Sequence, residues 1–386
     1  MFLQIHSLTS YAAALLNRDD AGLAKRIPFG NAERLRISSQ CLKRHWREAL
    51  HQTLSLPQGI RSRLFFEREV YRRVVASGVD EDKAKTLTGT LIKRLIQGGQ
   101  KDKEHPLRLS QPVLFGKPEA DYLVKLVVEC AASGEDPVKT LEARLKEQKQ
   151  NIRALLRAAG QSDLIAGIEG AMFGRFVTSD ILARTDASVH VAHAFTVHPL
   201  DTEVDYFTVI DDLKEPHEDA GAAHAGDMEL GAGLFYSYVV VDVPLLISNL
   251  CGCERSEWRN QPDETLRDTA DVLTGLINAI ATVSPGAKLG STAPYARAEA
   301  VLLETGRSQP RTLANAYLKA LRLSGDPMQA SVDALGEHLA RLDEMYGQQE
   351  QRFVASTHDT AALVDIPRTS LVKATQATLA TLFETP

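Results

Sequence analysis

Basic side chains are concentrated in one stretch of a chain that is otherwise acidic. The 386 residues carry a net charge of −6, yet the segment 17–47 holds eight lysines and arginines against three acids. Charge that serves solubility is spread over a surface, so this local excess indicates a binding site for an anion. A solvated basic helix face is the alternative that the charge pattern leaves open. The eight residues are Arg18, Lys25, Arg26, Arg34, Arg36, Lys43, Arg44 and Arg47.

The spacing of these residues predicts a strand followed by a helix. Charged and apolar residues alternate in Arg34–Ser38, so Arg34 and Arg36 are expected on one face of a strand. Ser38–Ser39 is a natural N-cap for the helix that follows. The predicted buried stripe of that helix is Leu42, Trp46, Ala49 and Leu50, and its polar face carries Gln40, Lys43, Arg44 and Arg47. A helix N-terminus beside cationic side chains suits a chain of phosphates.

Motifs of the common catalytic and nucleotide-binding sites are missing from the sequence. It has no Walker A loop, no complete dinucleotide-binding glycine motif, no G-x-S-x-G elbow and no H-E-x-x-H motif. The pairs Asp19/Asp20 and Asp211/Asp212 could hold a divalent ion in a nuclease, although adjacent acids on an extended backbone point apart. The four cysteines suit neither a disulfide framework nor structural zinc. We therefore predict no catalytic residue, no metal and no cofactor.

The remaining pattern predicts an α+β fold in which a sheet is interrupted by a helical segment. Strands are expected at Phe2–Leu8, Leu164–Val177, Val189–Val197, Leu234–Leu250 and Ala298–Glu304. Later helices are expected at Asp263–Val283, Thr312–Leu323, Met328–Met345 and Ser370–Leu382. His193 is expected to pack in the core of its strand. The element order fits a split β-α-β, ferredoxin-like sheet with helices on one face.

A long acidic segment lies between the predicted strands. Residues 201–229 include ten acids and one base, and they show no sustained periodicity, which predicts a functional or disordered loop. No window approaches the roughly 18 uncharged apolar residues of a membrane span. The first residues lack the character of a signal peptide. A cytoplasmic protein is therefore expected.

Several motifs resemble one family. At NRDD, FG and RLRISSQCLKR the chain resembles the CasC-type backbone subunits of the type I-E CRISPR-associated Cascade, a crRNA-guided surveillance complex. The motifs GAMFGRF, VAHAFTVH, DYFTVIDDL, DAGAAHAG, LFYSY and SPGAK also occur in the order that the family shows. The resemblance covers nearly the whole chain, and it is weakest in the helical segment and beyond Leu323.

The resemblance implies a hand-shaped, non-catalytic protein with an RRM-like palm, a large helical fingers insertion and a long thumb loop. About six copies would polymerise head-to-tail along the crRNA, together with other Cascade subunits. The guide would then pair with target DNA in antiviral defence. The implied segments are palm 1–60, fingers 61–162, palm strands 163–204, thumb 205–233, and palm with closing helices 234–386.

The same resemblance implies which residues bind RNA. On the palm they are Asn17, Arg18, Arg34, Arg36, Ser39, Gln40, Lys43, Arg44, Arg47, Arg175, Phe176 and Lys288, and at the thumb root they are Tyr206, Phe207 and Thr208. Phe176 stands where the family commonly carries a methionine that inserts among the bases, and an aromatic ring could stack there.

The thumb departs from the family pattern at one position. Ala225 stands where the family often has a leucine wedge, so His224, Met228 and Leu230 are the candidates for kinking the RNA or contacting a neighbour. The acidic thumb would complement the basic surface of the next copy. Two alternatives stay open. One is a metal-dependent, RNA-cleaving backbone subunit of a type III-like effector using Asp19 or Asp20, and the other is a general single-strand RNA-binding protein outside CRISPR immunity.

Overall fold

The structure is a computed structural model that describes residues 1–96, 104–147, 167–175, 185–209, 224–287 and 289–383. The chain is a mixed α+β protein with a large sheet. It divides into two compact units. The first comprises Met1–Thr53, Val191–Val241 and Ala270–Pro386, and the second comprises Leu54–His190 and Asp242–Thr269.

The main sheet belongs to the first unit. The strands of the described residues are β1 (Phe2–Ala14), β2 (Arg26–Phe29), β3 (Ala32–Ile37), β4 (Gly59–Ser62), β5 (Val113–Gly116), β6 (Val189–Val191), β7 (Ala194–Thr196), β8 (Thr202–Val209), β9 (His224–Asp242), β10 (Ala298–Gly306), β11 (Gln351–Ser356) and β12 (Arg368–Thr369). The strands of the main sheet follow the order β12-β11-β10-β1-β9-β7-β3-β2, and β8 pairs with β9. β1 runs antiparallel to β10 and β10 to β11, whereas β11 and β12 are parallel, so the sheet is mixed.

The helices begin where the sequence supplies caps. The carboxylates of Asp80, Asp242 and Asp326 each accept a backbone N–H bond at a helix start, as N-cap residues do. The α-helices of the described residues are Ser39–Thr53, Arg72–Ala76, Glu81–Leu95, Lys117–Ala132, Pro137–Glu147, Gly167–Phe173, Val243–Cys251, Asp263–Thr282, Leu289–Thr292, Pro327–Tyr346 and Leu371–Phe383. A π-helical turn spans Phe66–Tyr71, and 3₁₀ turns span Arg255–Asn260 and Ala314–Tyr317.

Each unit has its own apolar core. In the first, Leu335 from the helix Pro327–Tyr346 belongs to a buried cluster with Leu8 and Leu302 of the sheet. In the second, the ring of Phe65 stacks on that of Phe115 with centroids 4.0 Å apart. Burial of such side chains is the main favourable contribution to folding.

Glu304 on β10 is the centre of a buried polar network in the first unit. Its carboxylate accepts hydrogen bonds from His6 at 3.0 Å, from Arg352 at 2.8 Å and from Arg311 at 2.8 and 3.0 Å. Burial alone would raise the pKa of Glu304, but the hydrogen bonds from His6 and Arg311 hold it well below its ordinary value. Burial also lowers the pKa of His6, whose Nδ1 lies 2.8 Å from the hydroxyl oxygen of Tyr236.

One predicted strand is wrong and another is too long. Within the range Leu164–Val177 the structure has the helix Gly167–Phe173, and residues 164–166 and 176–177 lie outside the described residues. A short, mostly apolar run has no clear period to distinguish a strand from a helix. The strand predicted at Leu234–Leu250 is the second half of β9 only as far as Asp242, where the carboxylate accepts from the N–H of Leu245 at 3.1 Å and begins a helix.

Three further expectations also fail. The range Thr312–Leu323 is not a helix beyond the 3₁₀ turn Ala314–Tyr317, in which Tyr317 is fully buried and its hydroxyl donates to the carbonyl of Ser331 at 2.9 Å. The side chain of His193 is exposed and does not lie in the core. The acidic segment 205–233 is not a loop throughout, since its described ends are the paired strands β8 and β9.

Candidate functional site

The basic segment folds as a loop, a hairpin and a helix within the first unit. The loop after β1 is fastened to the helix start by Asn17, whose side-chain oxygen accepts from the N–H of Ser38 at 2.9 Å. The Ser38 hydroxyl accepts in turn from the N–H of Cys41 at 3.3 Å, so Ser38 is the N-cap that the sequence predicts. The N–H of Arg36 donates to the carbonyl of Lys25 at 2.8 Å, which brings these two residues side by side.

The helix Ser39–Thr53 presents a basic face to solvent. Leu42, Trp46 and Leu50 are buried as predicted, and Ala49 is only half-buried. On the opposite face Gln40 and Arg44 are exposed, while Lys43 and Arg47 are partly exposed. Burial lowers the pKa of Lys43, whereas the hydrogen bond from Arg44 Nε to Glu48 at 3.0 Å raises the pKa of Arg44. Ser39 is 9% exposed, and its hydroxyl lies 3.4 Å from the side-chain oxygen of Gln40.

The side chain of Arg36 on β3 contacts two neighbouring segments of the first unit. Its Nη1 is 3.0 Å from Nδ1 of His193, and its Nε donates to the carbonyl of Arg26 at 3.1 Å. Partial burial and the charges of Arg36 and Lys25 lower the pKa of His193. Burial raises the pKa of the Cys41 thiol, although the nearby charges of Arg44 and Lys25 act to lower it. We call the group Arg18, Lys25, Arg36, Gln40, Lys43, Arg44 and Arg47 the basic surface.

The prediction for Arg34 is wrong, because its side chain does not share the open face of Arg36. Arg34 is fully buried, and its guanidinium donates to the carbonyls of Thr196 at 3.0 Å and Tyr317 at 2.8 Å. Burial lowers its pKa. Arg34 therefore ties β3 to distant segments of the first unit and is inaccessible to a ligand.

The carboxylate of Glu229 on β9 contacts the loop and strand on either side of Lys25. Glu229, which is 5% exposed, accepts from the N–H of Ala24 at 2.7 Å and forms an ion pair with Arg26. Two residues further on, Gly231 lies against Leu35, and a Cβ there would come within 2.5 Å of a Leu35 methyl carbon. The Glu229 contact could not be predicted from the sequence, because its partners Ala24 and Arg26 are 205 and 203 positions away.

The described ends of the hairpin expose some predicted residues and bury others. Tyr206 is 65% exposed and Thr208 is also exposed, whereas Phe207 lies over Gly226 on the paired strand. Met228 is only 9% exposed, so the proposal that it acts as a wedge is wrong. The wedge candidates His224 and Leu230 lie on β9, and Leu230 is half-buried beside a cleft of about 510 Å³.

Of the remaining predicted site residues, Arg175 is buried, and the others lie outside the described residues. Arg175 belongs to the second unit, where it is 3% exposed and forms an ion pair with Glu119 at 2.6 Å. The prediction that Arg175 contacts RNA is therefore wrong, since its charge is already compensated in the interior. Phe176 and Lys288 lie outside the described residues, as do Asp211 and Asp212.

Asp19 has a structural role in the loop. One of its carboxylate oxygens accepts from the N–H groups of Ala21 at 2.9 Å and Leu23 at 3.0 Å, which is an Asx turn. Neighbouring Arg18 is exposed. Within the described ranges no three His, Cys, Asp or Glu side chains are grouped as metal ligands. No helix among those ranges is long and apolar enough to cross a membrane.

The fold and this site define an α+β protein with a cationic surface built on a strand, a loop and a helix N-terminus. The model of the CT1975-like protein family (Cas CT1975) matches residues 3–385, so the chain belongs to that family. A comparison with curated proteins returns no match.

Two solved structures have chains of similar fold. One comes from a "CRISPR RNA-guided surveillance complex, pre-nicking", with a TM-score of 0.79, 24% identity, and coverage of 99% of this chain and 100% of that one. Another comes from a "CRISPR RNA-guided surveillance complex", with a TM-score of 0.56, 20% identity and the same coverage. At these identities the likeness concerns the fold.

Proposed function

We propose that this protein is a non-catalytic crRNA-binding backbone subunit of a type I-E Cascade complex, acting in the cytoplasm in antiviral defence. The basic surface carries the proposal, because it is a concentrated cationic site on a protein of net charge −6. Membership of a Cas family and a fold shared with a chain of a CRISPR surveillance complex support it. In this proposal the main sheet is the RRM-like palm.

The chemistry of the basic surface suits phosphates rather than bases. Lysine and arginine on a helix face, together with a helix N-terminus, bind the backbone of a nucleic acid and carry no sequence information. A protein that must hold any guide needs this kind of contact, since base pairing supplies the specificity. Affinity should therefore fall steeply as salt rises.

The hairpin is proposed to be the thumb that contacts the next copy. Tyr206 on its outer strand and the cross-strand neighbour Asp227 are both exposed, so an acidic surface with an aromatic ring is available to a basic neighbour. A contact between two different surfaces of one protein repeats without closing, which produces a filament along the RNA. Other Cascade subunits would then complete the complex, and target DNA would reach it through the crRNA.

A length series of guides tests this proposal. The chain is co-expressed with its partner subunits and with crRNAs whose spacers increase in regular steps, and the purified complexes are weighed by native mass spectrometry. The expected mass increases by whole copies of this chain as the spacer lengthens. A copy number that ignores spacer length, or complexes without RNA, would contradict the proposal. Incubation with complementary RNA and Mg²⁺ should give no cleavage, and cleavage lost in Asp19→Ala would assign a nuclease instead.

A further inference from the structure

The loop between residues 284 and 297 of the first unit exposes an aromatic ring. Tyr295 is 75% exposed, and its neighbour Arg297 is exposed too. An aromatic side chain usually buries most of its surface, so a ring left in water is available for a partner. Neither residue belongs to the motifs that point to RNA binding in the sequence.

Hydrogen bonds hold the backbone on both sides of this ring. The hydroxyl of Ser284 accepts from the N–H of Ala296 at 2.9 Å and donates to the carbonyl of the same residue at 3.1 Å, which closes the neck of the loop. Pro294 is buried, and a Cβ on Gly286 would lie 2.9 Å from its ring. The N–H of Tyr295 donates to the carbonyl of Ala293 at 2.7 Å, so the backbone that carries the ring is fixed.

A chain of contacts connects this loop to the basic surface. The N–H of Ala287 donates to the carbonyl of Leu15 at 2.9 Å. The following residue, Leu16, has its carbonyl 3.9 Å from the Cys41 sulfur on the basic helix, and Asn17 next in sequence accepts from Ser38. Three consecutive residues thus join the loop to the N-terminus of that helix.

We infer that Tyr295 is a stacking residue for a base of the single-stranded RNA whose phosphates lie on the basic surface. The inference rests on the proposed function and adds an aromatic contact to it. A ring carried on a hydrogen-bonded backbone loses less conformational entropy when a base stacks on it than a ring on an unrestrained chain would. Every base has a π-face, so stacking adds affinity without selecting a sequence.

The test uses the full chain and a fluorescein-labelled single-stranded RNA. Tyr295→Ala should weaken binding about tenfold, whereas Tyr295→Phe, which keeps the ring, should bind like the wild type. Tyr346→Ala is the matched control, since Tyr346 is 63% exposed and lines a cleft with Asp343 and Glu350. Its affinity should not change. An RNA with 2-aminopurine in place of its adenines should lose fluorescence on binding in the wild type and less in Tyr295→Ala.

Several outcomes would overturn the inference. Wild-type affinity in Tyr295→Ala, or an equal loss in Tyr295→Phe, would show that the ring does not stack on a base. Loss of co-purifying protein subunits with unchanged RNA affinity would assign Tyr295 to a protein contact. The triple variant Lys43→Ala, Arg44→Ala, Arg47→Ala separates the two claims: if only this variant loses RNA, the proposed function stands and the stacking role fails.

Discussion

Arg36 Nη1 lies 3.0 Å from Nδ1 of His193, so a histidine lies beside the cations of the basic surface. Its pKa is below 6.5 because of partial burial and the charges of Arg36 and Lys25. A bound phosphate would favour the imidazolium, so RNA binding should take up a proton there. Affinity for single-stranded RNA should therefore rise about twofold to fivefold as the pH falls from about 7.5 to about 5.5.

The control for this prediction is His193→Gln, which keeps a polar side chain that does not titrate. Fluorescence anisotropy across the pH range should show the rise in the wild type and a flatter profile in the variant. A rise of the same size in His193→Gln would assign the proton uptake to another group.

Asn17 is expected to stabilise the protein through the N–H of Ser38. Asn17→Ala leaves that N–H without its acceptor at a residue only 6% exposed, so the free energy of unfolding should fall by about 1–3 kcal/mol. Asn17→Asp keeps an acceptor oxygen and should lose less. Urea denaturation compares the two variants, and equal losses would show that the hydrogen bond is not the cause.

Gly231 is required by the packing of Leu35. A Cβ at Gly231 would lie 2.5 Å from a Leu35 methyl carbon, so Gly231→Ala should destabilise the first unit by about 1–3 kcal/mol. Leu35→Ala removes that methyl carbon, and the double variant should lose less than the sum of the single losses. Additive losses in thermal denaturation would place the strain elsewhere.

Glu304 is expected to be the most costly polar position in the first unit. Glu304→Gln leaves Arg311 and Arg352 without their shared carboxylate, which should lower the free energy of unfolding by about 3–5 kcal/mol. The pKa of Glu304 is depressed in the fold, so its contribution is present above 4.5 and is lost as the pH falls below that value.

The titration of His6 also lowers the stability of the fold in acid. Its pKa is below 6.5 in the fold, so the unfolded state binds more protons and stability falls as the pH drops below 6.5. Denaturation at stepped pH should show the wild type losing stability in acid, with a smaller loss below pH 4.5 in Glu304→Gln. Identical acid profiles for both proteins would contradict the role of the network.

The elements of the basic segment could be predicted because their signals are local. Ser38 caps the helix through Cys41, three residues away, and the stripe from Leu42 to Leu50 repeats with the helical period. The extent of the helix Asp263–Thr282 follows from the same kind of periodicity. Such patterns need no knowledge of the rest of the fold.

The environment of single residues could not be predicted in the same way. Alternation showed that Arg34 and Leu35 point to opposite sides, but the carbonyls that bury Arg34 come from Thr196 and Tyr317. The contact of His193 likewise comes from Arg36, 157 positions away. Long-range contacts decide which charges stay on the surface, and a single sequence carries no direct signal for them.

The most direct test of the central claim is the salt dependence of RNA binding by two charge-matched triple variants. One is Lys43→Ala, Arg44→Ala, Arg47→Ala. The other replaces three exposed basic residues outside the basic surface by alanine: Lys319, Arg322 and Arg341. Each phosphate contact contributes about 0.7 to the slope of log K against log salt for a single strand, so the first variant should bind weakly and lose about 2 from that slope. The second should keep the wild-type slope and affinity. Wild-type binding and slope in the first variant would contradict the assignment of the basic surface as the RNA-binding site.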